Sequence, residues 1–167
     1  MHNELTQKDI QMMRDELDYR RIQLRPKLLE AVKEARGFGD LSENFEYKAA
    51  KQEKNRNESR IRFLENMIKT AVVISEEAPS DGVGLYDKVT VYLEDDDDTE
   101  TYQVVTTMRQ DALHDLISRE SPVGRALLGK KVGERFYIRV NDTYGYYAVI
   151  RAIEKAADDG SIPLNGY

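Results

Sequence analysis

Two periods of apolar residues divide the chain. From Thr6 to Ala35 the apolar positions include Ile10, Met13 and Leu17, spaced three and then four apart, which is the stripe of an amphipathic helix. Thr6 stands where a hydroxyl can accept a free N–H of the first turn, so it is the expected N-cap. Pro26 removes one helical hydrogen bond and is expected to kink or weaken the helix. Good helix formers resume at once, so the spacing predicts one long helix. Gly37-Phe38-Gly39 then breaks the helical run. A second run is predicted from about Ser42 to Thr70, apolar at Ile61, Leu64, Met67 and Ile68 and almost wholly polar over Lys51–Arg60. Two helices joined by so short a loop make an antiparallel hairpin. At 1.5 Å rise per residue each arm is about 40 Å long. Its base is apolar and its far end polar, the pattern of a probe more than of a compact bundle.

Beyond about residue 76 the period changes to two. Lys88–Leu93 alternates as a strand, Glu94–Glu100 reads as an acidic turn, and Thr101–Thr106 as the returning strand. Phe136–Val140 and Tyr146–Ile153 form a second pair around Asn141–Gly145, which is rich in turn formers. Between the pairs a short helix is expected to enter at Pro122 and end at Gly129. Residues from about 156 read as a loose tail. The predicted architecture is therefore a helical hairpin over 1–75, with its tip near 37–46, followed by a small α+β domain over 76–167.

Charge sharpens the division. Residues 1–75 carry 15 lysines and arginines against 13 acidic residues, and residues 76–167 carry 10 against 18. An acidic chain lacks the clustered positive surface that autonomous nucleic-acid binding needs, so contact with RNA or DNA is expected only through a protein partner. There is no cysteine and there are two histidines, which excludes disulfides and thiolate metal sites and leaves little for zinc. No apolar run is long enough to span a membrane and the first ten residues are polar, so the expected address is the cytoplasm, with no membrane partner. Asp95–Asp98 reads as a solvated turn whose like charges discourage edge pairing. Tyr144, Tyr146 and Tyr147 read as sheet residues.

The chemistry concentrates at the tip, in Gly39-Asp40-Leu41-Ser42-Glu43-Asn44 followed by Glu46-Tyr47. Asp40 and Glu43 support two readings. Asp, two residues, then Glu is a capping box, with Asp40 capping the second helix and Glu43 reaching back. The same spacing puts both carboxylates on one face, where they can share a divalent cation such as magnesium with waters and phosphates. Arg36, Lys48 and Lys51 are either solvated helix charges or steering charges. The basic positions Lys51, Lys54, Arg56, Arg60 and Arg62 are interrupted by Glu53 and Glu58, which argues against strong RNA binding. Ser121 and Pro122 suit the start of the short helix.

The tip stretch resembles the signature of the Gre family of bacterial transcript cleavage factors. A second match, Leu116-Ile117-Ser118, Ser121-Pro122-Val123-Gly124 and Ala126-Leu127-Leu128-Gly129-Lys130, resembles that family's C-terminal signature. The resemblance implies an FKBP-like C-terminal domain that docks on the rim of the RNA polymerase secondary channel, with Ser121 and Pro122 at or near the docking surface. It implies a hairpin that enters the channel as a monomeric factor's probe. Asp40 and Glu43 would then help hold a magnesium ion shared with the polymerase and orient the water that cleaves backtracked RNA, with Arg36, Asn44 and Lys51 supporting the tip. The polymerase would supply most of the catalytic apparatus, so the factor is not itself an enzyme. Phe38 and Phe45 depart from the family pattern and are expected either to pack on the hairpin or to touch nucleic acid or the channel wall by stacking. Three other readings compete: a paralogue that occupies the channel and inhibits, a prolyl isomerase, and a hairpin adaptor without chemistry. The two carboxylates speak against the first. Fold alone does not carry the second, and no aromatic-lined proline pocket is evident. The third predicts tip substitutions that change nothing but stability.

Overall fold

The computed structural model describes residues 3–39, 44–77 and 79–166. Its contacts group into two compact units. One is Ile10–Ala71, and the other joins the described residues up to Asp9 with Val72 onward.

The first unit is the helical hairpin. Helix α1 spans Gln7–Asp18, a π-helical segment follows over Tyr19–Leu24, and α2 spans Arg25–Arg36, so the backbone stays helical from Gln7 to Arg36. In a regular helix the Pro26 ring presses on the carbonyl four residues back. The widened turns directly before it take up that strain, with the Arg25 N–H donating to the Arg20 carbonyl. Helix α3 spans Phe45–Thr70. Met13, Leu17, Ile61, Leu64 and Met67 are buried, as the spacing predicted. The polar middle is held by charge: Arg60 bonds Glu16 at 2.7 Å, Arg20 bonds both Glu16 and Asn57, and Arg25 grips Glu58 with two nitrogens. Arg60 is buried, so it does not belong to a basic surface.

In the second unit β1 (Asn3–Leu5) pairs with β2 (Ala71–Val73), and a five-stranded sheet forms the main layer. Its strands are β3 (Lys88–Leu93), β4 (Asp98–Val105), β5 (Leu116–Ser118), β6 (Arg135–Arg139) and β7 (Gly145–Glu154), in the order β5-β4-β3-β7-β6. Strand β3 alternates as predicted, with Val89, Val91 and Leu93 buried. The acidic turn is tighter than expected, because Asp98 already pairs with Leu93. Strand β5 runs parallel to β4, which requires a crossover. Two 3₁₀ turns, Thr107–Arg109 and Ala112–His114, supply it. Helix α4 spans Pro122–Leu127 and buries Leu127 in a core with Val83, Val104, Phe136, Ile138 and Ile150.

The tail is not loose. The Arg109 guanidinium, fully buried, donates to both Asp158 carboxylate oxygens at 2.8 and 2.7 Å, to Asp9 at 3.0 Å and to the Ile162 carbonyl at 2.7 Å. Asn165 adds bonds to the carbonyls of Thr107 and Met108. Asp9 is itself half of a capping box: Thr6 Oγ1 accepts from the Asp9 N–H, and Asp9 accepts from the Thr6 N–H. Burying a charge is costly unless it is paired and bonded, so this tail segment is part of the fold.

Candidate functional site

The end of the hairpin is fastened by one side chain. Asn44 is the N-cap of α3, its Oδ1 accepting from the Tyr47 N–H at 3.0 Å. Its Nδ2 donates to the Ala35 carbonyl at 2.6 Å, in the last turn of α2. Helix α2 leaves that carbonyl without an intrahelical partner, so one amide bonds an open group at the end of each helix. Ala35 is buried at this crossing. Phe38 N–H donates to the same carbonyl at 3.2 Å. The chain therefore departs through Phe38 and returns at Asn44 from a shared anchor.

Asp40 and Glu43 lie outside the described residues. The capping reading of them is nonetheless corrected: α3 begins at Phe45 and its cap is Asn44, so Asp40 does not cap it. An aspartate at 44 could accept from Tyr47 but has no hydrogen to give Ala35, which is the physical reason for an asparagine there.

Arg36 and Tyr47 meet across the tip, the guanidinium carbon 5.6 Å from the ring centre. The Arg36 hydrogen bond holds the Tyr47 hydroxyl below its ordinary pKa. Lys51 is exposed one turn further along α3, and its charge acts on Tyr47 in the same direction. Lys48 lies 5.7 Å from the centre of the Phe45 ring. Phe38 and Phe45 do not pack on the hairpin: they are 69% and 80% exposed. The arrangement brings together Arg36, Asn44 and Tyr47, with Lys51 nearby. Sequence reasoning did not anticipate the Arg36–Tyr47 contact, because it joins residues on opposite arms.

Ser121 and Pro122 belong to the other unit. Ser121 caps α4, its Oγ accepting from the Gly124 N–H at 3.0 Å and donating to the Ser118 carbonyl at 2.7 Å, and Pro122 opens the helix. A Cβ on residue 124 would stand 2.0 Å from the Ser118 carbonyl oxygen, so only glycine permits this close approach. Ser118 also bonds Thr107 at 2.9 Å. Pro122 is exposed and Ser121 half-buried on this loop.

Among the described residues no group of three or more histidine, aspartate or glutamate side chains is placed to hold a metal, and no helix is long and apolar enough to cross a membrane. The carboxylates offered for magnesium remain Asp40 and Glu43.

A family model described as transcription elongation factor, N-terminal, matches residues 3–73, and one described as transcription elongation factor, GreA/GreB, C-term, matches residues 78–155. The transcription elongation factor GreA of Geobacillus kaustophilus is 40% identical over 136 residues, 81% of this chain and 86% of its own length. That of Clostridium beijerinckii is 40% identical over 147 residues, 87% of this chain and 92% of its own. A solved structure of the transcription factor Gfh1 is 26% identical, covers 92% of this chain and 97% of its own, and has a TM-score of 0.46.

Proposed function

This chain belongs to the GreA/GreB family of transcription elongation factors, and from that premise we propose that it binds RNA polymerase and stimulates the polymerase's own endonucleolytic cleavage of backtracked RNA. It is a factor and not an enzyme, since the reaction is the polymerase's. The observation that carries the reading is the fastened tip: Asn44 ties the end of α2 to the start of α3 and thereby fixes both ends of the segment that contains Asp40 and Glu43. The α4 loop with Ser121 and Pro122 docks on the rim of the secondary channel, and the hairpin reaches down it. The factor works as a monomer, in the cytoplasm, and meets RNA and DNA only within the polymerase complex.

Asp40 and Glu43 are hard oxygen donors, and magnesium is usually held by one or two carboxylates plus waters and phosphates. When bound there, magnesium shared with the polymerase stabilises charge at the scissile phosphate and lowers the pKa of a bound water. The chain's own contribution is to present the two carboxylates, orient that water and accept its proton. Arg36, Lys48 and Lys51 offset the charge of Asp40, Glu43 and Glu46, which eases approach to a phosphodiester.

The test is RNA cleavage in a backtracked elongation complex with wild type and with Asp40→Ala/Glu43→Ala. Wild type should accelerate cleavage and the double variant should bind without doing so, a loss of roughly 10²–10⁴-fold for positioned acid–base groups. Thermal melting should be unchanged, because the α3 cap is Asn44. Binding by wild type without acceleration would instead make the protein an occupant of the channel that tunes the polymerase.

A further inference from the structure

Phe45 contributes little to the hairpin that carries it. It is 80% exposed in the first turn of α3, directly after the residue that fastens the tip. Asn44 already caps the helix and clamps Ala35, so neither task needs an aromatic neighbour. An exposed ring on an anchored backbone is a rigid, flat surface held in water. Lys48 stands over the ring, 5.7 Å from its centre, and Glu46 adjoins it in sequence; a second ring and cation, Tyr47 and Arg36, meet on another face of the same helix turn. Flat rings interleaved with cations are the chemistry that binds single-stranded nucleic acid, where bases stack and phosphates are paired. A purely apolar contact with a protein wall would not call for the cations.

We infer that Phe45 is a positioning residue: its ring stacks on a nucleobase of the displaced 3′ RNA segment, with Lys48 pairing a neighbouring phosphate, so that the scissile bond is held against Asp40 and Glu43. This rests on the cleavage reading above. The ring touches nucleic acid only within the polymerase complex, in keeping with the acidic charge of the whole chain.

The test places 2-aminopurine at the 3′ end of the RNA in a backtracked complex and uses full-length factor. With Asp40→Ala/Glu43→Ala to prevent cleavage, the factor should quench the fluorophore. Adding Phe45→Ala or Phe45→Leu should abolish the quench, and Phe45→Trp should preserve it. Quenching by the Phe45→Leu form equal to that with phenylalanine would overturn the inference, because leucine keeps apolar bulk without a stacking face. In the cleavage-competent background, Phe45→Ala should lower the saturated cleavage rate about tenfold, within what loss of a stacking aromatic costs. It should leave the half-saturating factor concentration unchanged and depend on the identity of the 3′ base. A loss confined to the half-saturating concentration and equal for all four bases would mean a contact with polymerase protein and would also overturn it. The quench is read without cleavage, so a ring-dependent quench with a wild type that fails to accelerate cleavage sinks the cleavage reading and leaves the stacking intact.

Discussion

Asp158→Ala should destabilise the sheet unit far more than its place near the end of the chain suggests. The Arg109 side chain is 0% exposed and that of Asp158 1%. Of the four bonds the guanidinium makes, two go to Asp158. Removing one partner of a buried pair costs about 3–5 kcal/mol, because the remaining charge stays desolvated. Here Asp9 still faces the cation at 3.0 Å, so the lower end applies, about 3 kcal/mol, or roughly a 150-fold change in the unfolding equilibrium. Deleting residues 157–167 should have the same sign and at least that size. Urea titration read by far-UV circular dichroism and tyrosine fluorescence measures the loss, since the chain has ten tyrosines and no tryptophan. Hydrogen exchange of peptides from β3 and β4, against peptides from α3, assigns it to one unit. A change under about 0.5 kcal/mol, the range of an ordinary surface substitution, would refute the docked tail and the pairing inferred from it.

Asn44→Ala removes a cap worth about 1 kcal/mol and a second bond of similar worth, so about 2 kcal/mol of local stability at the hairpin end should be lost, read as faster exchange of the Tyr47 amide. Asn44→Asp keeps the acceptor but not the donor and should fall between the two; equality with wild type would mean that the Ala35 bond contributes nothing. Acid should weaken both units. Burial pushes the Glu16 carboxyl up, but the bonds from Arg60 and Arg20 outweigh it and hold the group below its ordinary 4.5. Burial likewise pushes Asp158 up, and the bonds from Arg109 and the Gly160 N–H outweigh it, below an ordinary 3.8. A depressed carboxylate binds fewer protons folded than unfolded, so its stabilisation is complete above the unfolded value and is lost as pH falls through the folded one. The urea midpoint should therefore be steady above about pH 5.5 and decline progressively below about pH 4.5, with Asp158→Ala flattening part of that decline.

What the sequence made legible was local. The Thr6 cap, the alternation of Val89, Val91 and Leu93, and the opening of α4 at Pro122 each depend on residues within a few positions of one another, and each is found in the structure. The cap of α3 was misplaced because Asp40 and Asn44 are both good caps. The choice is made by the Ala35 carbonyl, nine residues away and on the other arm. The tail was misread for the same reason. A stretch reading Asp158-Asp159-Gly160-Ser161 has the composition of a solvated turn, and only a guanidinium 49 residues earlier gives Asp158 a reason to be buried. Pro26 was expected to disturb the helix, and the π turns that accommodate it carry no sequence signature of their own. Phe38 and Phe45 were expected either to pack on the hairpin or to stack on a partner, and they stand exposed. For the site, the sequence named Arg36, Asn44 and Lys51, while the bonds that define Asn44's role needed coordinates.

The Arg109 cluster also fixes an order of maturation. Its three partners lie far from it on both sides in sequence: Asp9 is 100 residues before it, and Asp158 and Ile162 are 49 and 53 after. During synthesis the contiguous segment Ile10–Ala71 can close on itself as soon as it emerges. The sheet unit, although Asp9 is made before the hairpin, cannot seat its central cation until Asp158 and Ile162 have been made. A chain lacking residues 158–162 would therefore have a complete hairpin unit and a sheet unit whose central cation has lost two of its three partners.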